Sequence, residues 1–344
     1  MRLTLSQNCK RSIRDIGFRK PRKVVVVKLV SFKDIQAAGV SPKDCLDWVA
    51  ESIANKQKAV LPPKISLHPP IEGSFCNFMP SIVSDSDGKL WGGVKLVTRY
   101  PEREPALDSK LLLFDAQTGE MLALMDADWI TAMRTGAVAA HSINLLARSG
   151  FDQISVMGLG NTGRACMLML AESIEGRELN VRLRRYKGQE DLFVERFKEY
   201  ENLSFDFVDG YDELVRGSQV VVSAVTYLAD DVCGDDCFDE GVLVVPVHTR
   251  GFSNCDLFFD KVFADDTGHV KHFKNFAQFK RFAEVSDVVN GRVAGRENDK
   301  ERILAYNIGV SMHDITFAAK IFQELDKDSL QDLDLSQPAE KFWV

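Results

Sequence analysis

Gln153-Ile-Ser-Val-Met-Gly158-Leu-Gly160-Asn161-Thr162-Gly163-Arg-Ala-Cys-Met-Leu-Met-Leu170 reads as strand, turn and helix in that order. Ile154 to Met157 form a short apolar run suited to a buried parallel strand. Ala165, Met167, Leu168, Leu170 and Ala171 then recur at helical spacing. Between them Gly158, Gly160 and Gly163 stand as G-x-G-x-x-G. The first glycine permits the tight turn, the second lets the backbone approach a pyrophosphate, and the third lets helix and strand pack closely. Asn161 and Thr162 sit at the helix start, where free N–H groups and the helix dipole favour negative charge. Strand before and helix after raise a motif that is weak alone to an expected dinucleotide site.

From residue 151 onward the pattern alternates strand and helix, with strands expected at 153–158, 179–184, 219–225, 242–247 and 261–264. Such alternation gives a doubly wound parallel sheet, an α/β fold of the Rossmann kind. In that fold the second strand ends near the adenosine ribose, where an acidic residue suits NAD and a basic one suits NADP. Here the strand runs Leu179-Asn-Val-Arg-Leu-Arg184-Arg185-Tyr186-Lys187, with no acidic residue. Arg184, Arg185 and Lys187 therefore favour NADP over NAD, because guanidinium grips phosphate in a bidentate fork.

Residues ahead of this region read differently. Lys23 to Val30 is a β-branched strand, and Ser41-Pro42 caps a helix through Ile53 and Ala54. Strands follow near Lys64–Leu67, Phe78–Ser81, Gly92–Thr98, Lys110–Asp115 and Met121–Met125, the last two joined by a hairpin turn at Ala116–Gly119. This is an α+β pattern with an antiparallel sheet, followed by a long apolar helix over 128–147 ended by Gly150. A last helix over Ser311–Leu325 is expected to return to this first part, and the acidic tail from Asp326 reads as loop with a docked end at Phe342 and Trp343. The expected division is residues 1–147, completed by about 311–344, and 148–310.

The 344 residues carry a formal net charge of −7 without long runs of one sign, which argues against nucleic-acid binding. No apolar run approaches the length of a membrane span. The basic stretch Met1–Lys23 has no apolar segment after it, so a solvated leader is expected rather than a secretory signal. Seven scattered cysteines, an odd number, suit reduced thiols and a cytoplasmic protein. Cys233 and Cys237 form the one close pair. No metal is expected there, since no further ligand stands at suitable spacing.

Several segments together resemble the ornithine cyclodeaminase/mu-crystallin family. They are Leu61-Pro-Pro-Lys64, Met79-Pro80, Gly93-Val-Lys95-Leu-Val-Thr-Arg-Tyr-Pro101, Asp115-Ala-Gln-Thr-Gly119, Leu124-Met-Asp126-Ala, Thr131-Ala-Met-Arg134-Thr135-Gly136-Ala137, the glycine loop, and Gly309 to Asp314. The resemblance implies a homodimer built through the first domain, which also binds substrate, a nucleotide-binding second domain, and amino or imino acid substrates. It implies that Lys95 stands beside the substrate and that Arg134 holds its carboxylate. A lone guanidinium on an apolar helix needs a partner, either that carboxylate or an internal aspartate. Lys64 stands where the family usually has arginine, so it keeps the charge without the fork. Thr135 is implied to contact cofactor phosphate.

The chain departs from the family's cyclodeaminases after the fourth strand. Where they carry an aspartate near the reacting nitrogen, this chain reads Pro246-Val-His248-Thr-Arg250-Gly251, which places Arg250 at that position. Arginine cannot accept a proton. His248, two residues earlier, has an ordinary pKa near neutrality and is a candidate acid or base. These residues predict an NAD(P)-dependent oxidoreductase in which Lys95 or His248 handles the proton, Arg134 and Lys64 hold a carboxylate, and Arg250 grips a second acidic group. Two alternatives are a redox-neutral ornithine cyclodeaminase, which would show no net cofactor change, and a non-enzymatic NADP-dependent binding protein.

Overall fold

The computed structural model describes residues 26–226, 228–335 and 342. Two sheets organise it. The first contains β1 (Val27–Val30), β2 (Ile65–Leu67), β3 (Phe75–Ser84), β4 (Leu90–Arg99), β5 (Leu107–Asp115), β6 (Met121–Asp126) and, from the other end of the chain, β15 (Gln331–Leu333). Their order is β15-β1-β6-β5-β4-β3-β2. Pairing is antiparallel except between β1 and β6, which run parallel, so this sheet is mixed rather than purely antiparallel. β15 corrects the expectation of a loop-like tail: Gln-Asp-Leu has no strand pattern, and backbone pairing with β1 makes it extended. Phe342 is 79% exposed, and the rest of the expected docked end, Trp343, lies outside the described residues, as does Met1–Lys23.

Side chains alternate across the pleat of this sheet. Met79, Lys95, Leu111 and Met125 lie side by side on four strands and are all buried. That face is covered by α10 (Ser311–Glu324), which comes so close to β4 that a Cβ on Gly93 would lie 2.5 Å from Ile315 Cδ1. Helices α1 (Phe32–Ala37) and α2 (Pro42–Ala54) begin with reciprocal capping boxes, Ser31 with Asp34 and Ser41 with Asp44. The long helix α3 (Asp128–Leu146) then leads to the second sheet.

The second sheet is wholly parallel. It comprises β7 (Gln153–Met157), β8 (Leu179–Arg184), β9 (Leu203–Val208), β10 (Val220–Ser223), β11 (Leu243–Pro246), β12 (Lys261–Ala264), β13 (Ala283–Glu284) and β14 (Ile303–Tyr306). β10, β11, β12 and β14 are buried at every residue, as strands covered on both faces must be. Helices α4 (Asn161–Ser173), α5 (Gln189–Arg196), α6 (Tyr211–Val215), α7 (Cys255–Phe258), α8 (Thr267–Val270) and α9 (Val285–Val289) connect them. The order β13-β12-β14-β11-β10-β7-β8-β9 puts β10 and β8 on opposite sides of β7. The strand order reverses there, and such a switch point opens a crevice at the carboxyl ends of the strands.

α3 packs on α4 with almost no gap. A Cβ on Gly136 would stand 2.4 Å from the Ala165 backbone. The helix carrying Arg134 and Thr135 is thereby seated against the helix that follows the glycine loop.

Candidate functional site

The three motif glycines occupy three different environments. Gly158 has φ +86°, and a Cβ there would lie 2.4 Å from the Ala224 backbone. A Cβ on Gly163 would fall 1.9 Å from the Gly158 carbonyl oxygen. Gly160, by contrast, would place its Cβ in open space, with nothing within 4 Å. Gly160 also N-caps α4 with no side-chain cap hydrogen bond, so the first N–H groups of that helix have no partner from the cap residue. Two glycines thus serve the fold, and one leaves room for an anion over the helix start. Gly160→Val should therefore leave the protein folded and weaken NADPH binding by about a hundredfold or more, roughly 2.7 kcal/mol. Gly163→Val should fail to fold. Calorimetry showing ordinary NADPH affinity in Gly160→Val would remove the cofactor from this loop.

At the end of β8, Arg184 donates from Nε to the Asp209 carbonyl (3.0 Å), with its guanidinium 4.4 Å from the Tyr211 ring centre. Arg185 stands 3.6 Å from the Asp209 carboxylate. Arg185 and Lys187 are exposed, and Lys187 adopts φ +54° in the turn before α5. Arg184 and Arg185 thus both reach Asp209, and Lys187 stands over the Tyr186 ring, 5.2 Å from its centre.

A second group lies where β4, α3, α10 and the segment after β14 meet. Lys95 Nζ donates to Asp314 Oδ1 at 2.6 Å and to Thr131 Oγ1 at 3.1 Å. Arg134 Nε donates to the same Asp314 oxygen at 2.8 Å. Lys95 and Asp314 have no exposed surface, and Arg134 is 5% exposed. Lys64 reaches the group from the chain before β2, its ammonium 3.3 Å from the Ile308 carbonyl. A second buried carboxylate, Asp265, accepts from the Gly309 N–H and from Asn307 Nδ2, both at 3.0 Å. Gly309 is favoured by its φ of +82°, and a Cβ there would also press on the Arg134 guanidinium, 2.8 Å from Nη1.

Three cations and two carboxylates meet here, so the group has a net positive charge when all are ionised. Burial, with the charge of Arg134 added, pushes the Lys95 ammonium down to about 7. The same two causes lower Lys64. Asp314 Oδ2 is buried with no hydrogen-bond partner among the described residues, which leaves an acceptor for an incoming N–H. The arrangement can bind an anion, hold a nitrogen beside Asp314, and exchange a proton at Lys95 near neutral pH.

A model of the ornithine cyclodeaminase/mu-crystallin family matches residues 26–329. The chain belongs to this family. N-((2S)-2-amino-2-carboxyethyl)-L-glutamate dehydrogenase of Staphylococcus aureus is 25% identical, covering 73% of this chain and 79% of that relative. A Δ1-pyrroline-2-carboxylate reductase of Bacillus cereus is 26% identical, covering 74% and 85%. In fold, the chain is similar to the Thermococcus litoralis Δ1-pyrroline-2-carboxylate reductase solved with NADH and L-proline. The TM-score is 0.76 with 22% identity, over 87% of this chain and 97% of that one.

Among the residues that the family resemblance singled out, Lys64, Lys95 and Arg134 do converge. The partner of Arg134 is the internal aspartate, Asp314, joined through Nε alone. The resemblance contained Asp314 without giving it a role, and Asp265 was not anticipated. The Thr135 hydroxyl donates to the Thr131 carbonyl at 2.6 Å within its own helix. His248 lies apart from this group, at the end of β11. Its Nε2 is 2.6 Å from Ser223 Oγ, and its Nδ1 is 3.4 Å from the Arg250 backbone N–H. Burial lowers this imidazole to about 4, which corrects the expectation of a near-neutral group: it is uncharged at physiological pH. Ser223 precedes Ala224, which abuts Gly158, so His248 sits beside the glycine turn. Arg250 is exposed. In water a unit-charge repulsion at about 4 Å is only ~1 kcal/mol, so its charge discriminates between ligands less than a buried arginine would.

Two cavities lie elsewhere. One is a slot between α2 and α10 lined by Glu51, Ser52, Trp91 and Lys320. The other, about 360 Å³, lies at the β12–β13 edge beside Lys261 and Arg281. Neither touches the Lys95 group. Among the described residues no helix is long and apolar enough to cross a membrane.

Proposed function

We propose that the protein is an NAD(P)-dependent oxidoreductase of small amino and imino acids. The observation that carries this reading is the buried meeting of Lys95 and Arg134 on Asp314, with Arg134 standing on the helix, α3, that packs against the one following the glycine loop. Residues 148–310 hold the dinucleotide at Gly158, Gly160, Asn161, Thr162 and Gly163. The first part, with α10 and β15, holds the substrate. Arg134 and Lys64 are the members of the group that a carboxylate reaches first, because Lys95 is wholly covered. A carboxylate entering there restores charge balance to a positive group. The nicotinamide supplies hydride to the substrate α-carbon when bound. Lys95 supplies the proton to the developing amine nitrogen, and Asp314 Oδ2 accepts an N–H from that nitrogen. The names of the relatives, a dehydrogenase of a joined amino-acid pair and a reductase of a cyclic imino acid, support a carboxylate-bearing imine as substrate.

The test is a panel of cyclic imino acids and of 2-oxo acid plus amine pairs with NADPH and NADH. Net loss of reduced cofactor is expected. Conversion of ornithine to proline and ammonia with no net cofactor change would replace this reading with the redox-neutral one, and binding without turnover of any pair would replace it with a binding protein.

NADP is the preferred cofactor in this reading, on the strength of Arg184, Arg185 and Lys187. Exposure discounts each phosphate contact to about 1 kcal/mol, which still gives roughly tenfold or more in affinity over NAD. Arg184→Ala with Arg185→Ala should bring the two cofactors to near-equal dissociation constants. Equal constants in the unaltered protein would refute the assignment.

A homodimer is part of the same reading. The face of the first sheet turned away from α10 is apolar yet uncovered: Ile65, Phe78 and Leu124 are exposed, and Val94, Leu96 and Leu112 are half-buried. A second copy of the chain covers such a face.

A further inference from the structure

Cys233 and Cys237 are drawn together by the loop between β10 and β11, which the reading above does not use. Cys237 is buried at the end of a single helical turn, closed by its N–H to the Gly234 carbonyl at 3.1 Å. Cys233 is half-buried, and its carbonyl accepts from Asn254 Nδ2 at 3.1 Å. The missing ligand comes from a different element. Asp212, in the first turn of α6, brings a carboxylate oxygen to the two sulfurs, and all three atoms lie within 4.8 Å of one another. Twenty residues separate Asp212 from the pair, which explains why spacing along the chain concealed it.

The surroundings favour a cation. Asp230, Asp231, Asp235, Asp236, Asp239 and Glu240 crowd this short stretch of sequence. The nearby Arg216 is paired with Asp236 at 2.5 Å, which ties the loop to the end of α6. The loop is therefore fixed on both sides before any ion arrives.

We propose that Asp212, Cys233 and Cys237 bind one divalent cation of the zinc class, with water completing a tetrahedral set. Two thiolates and a carboxylate suit zinc or cobalt and disfavour calcium and magnesium, which take oxygen ligands. On binding, two thiol protons leave to solvent, two sulfur–metal bonds and one oxygen–metal bond form, and no electron is transferred. Tetrahedral zinc places such ligand atoms roughly 3.3–3.8 Å apart, so the trio, within 4.8 Å of one another, needs to close by no more than about 1.5 Å. The ion clips the loop to α6, whose first residue, Tyr211, carries the Arg184 guanidinium on its ring.

The experiment uses the full chain, reduced and stripped with chelator, titrated with cobalt(II). One saturating site per chain is expected, with a thiolate-to-cobalt charge-transfer absorption that zinc abolishes by competition. Cys237 is buried and its replacement risks the fold, so the variants are Cys233→Ser and Asp212→Asn. Each should lose about tenfold or more in affinity, and Cys233→Ser should also lose much of the absorption. Cys76→Ser should bind as the unaltered chain does. No charge-transfer band in the unaltered chain, or unchanged titrations in both variants, would overturn the site. Loss of two titratable thiols on air exposure, with no cobalt bound beforehand by the reduced chain, would also overturn it and assign the pair to disulfide chemistry.

Discussion

Lys95→Met is expected to lower kcat for imine reduction by about a thousandfold or more, while NADPH affinity changes little. A positioned acid contributes about 10²–10⁴ in rate, and Lys95 in this account is that acid. Methionine fills much of the same volume beneath α10, so the fold should survive the change. The loss is therefore expected in kcat. The glycine loop is untouched, and Arg134 still receives the carboxylate. The same residue sets a pH dependence. With its ammonium lowered to about 7, the proton donor is present below that pH and is lost as pH rises through it. Reduction should fall about tenfold per pH unit on the alkaline side, and amino acid oxidation, which needs the neutral amine, should rise through the same range. A bound substrate carboxylate adds negative charge and shifts the midpoint upward. Lys95→Met with nearly full kcat would assign the proton to another group than Lys95.

The second large effect concerns stability. Asp314 is the shared counter-ion of Lys95 and Arg134, and both cations are buried. Removing one partner of a buried ionic group typically costs about 3–5 kcal/mol, because the remaining charge stays uncompensated. Asp314→Leu is expected to destabilise by that amount in urea unfolding. Lys95→Met combined with Asp314→Leu removes one stranded cation along with its counter-ion. The double variant should therefore be more stable than the sum of the single effects implies, by about 1 kcal/mol or more. Strict additivity would mean that the lysine and aspartate do not depend on each other.

The parts of this molecule that were legible in sequence are those where one residue's surroundings betray it. Val220-Val-Val and Leu243-Val-Val read as buried strands because they are apolar throughout, and both lie in the parallel sheet. The β9 segment, Leu203-Ser-Phe-Asp-Phe-Val, alternates and forms the sheet edge, which gives a weaker signal. β14 is four residues long and follows a charged stretch, so it was hidden as well. Lys95 and Arg134 are singled out by the family resemblance, and a charge between Gly-Val and Leu-Val, or on a largely apolar helix, adds a physical reason to notice each. Asp314 could not be assigned a role in the same way. Its partners lie 219 and 180 residues away in the chain, and only the crossing of α10 over β4 and α3 brings them together. Asp265 is similar, fixed by the Gly309 N–H and by Asn307, which follow β14 and lie more than forty residues further along the chain. Arg250 shows the converse. Its sequence position suggested a charge aimed at the substrate, but burial decides how strongly a charge acts, and this residue is exposed.

The most direct measurement follows the hydride itself. The protein is incubated with NADPH carrying deuterium at the transferable position of nicotinamide C4 and with a cyclic imino acid, and the product amino acid is analysed by mass and by NMR. The account predicts one deuterium at the product α-carbon for each NADPH oxidised, and loss of that transfer in Lys95→Met without loss of NADPH binding. Product free of deuterium, or NADPH unchanged while ornithine is converted to proline and ammonia, would contradict it.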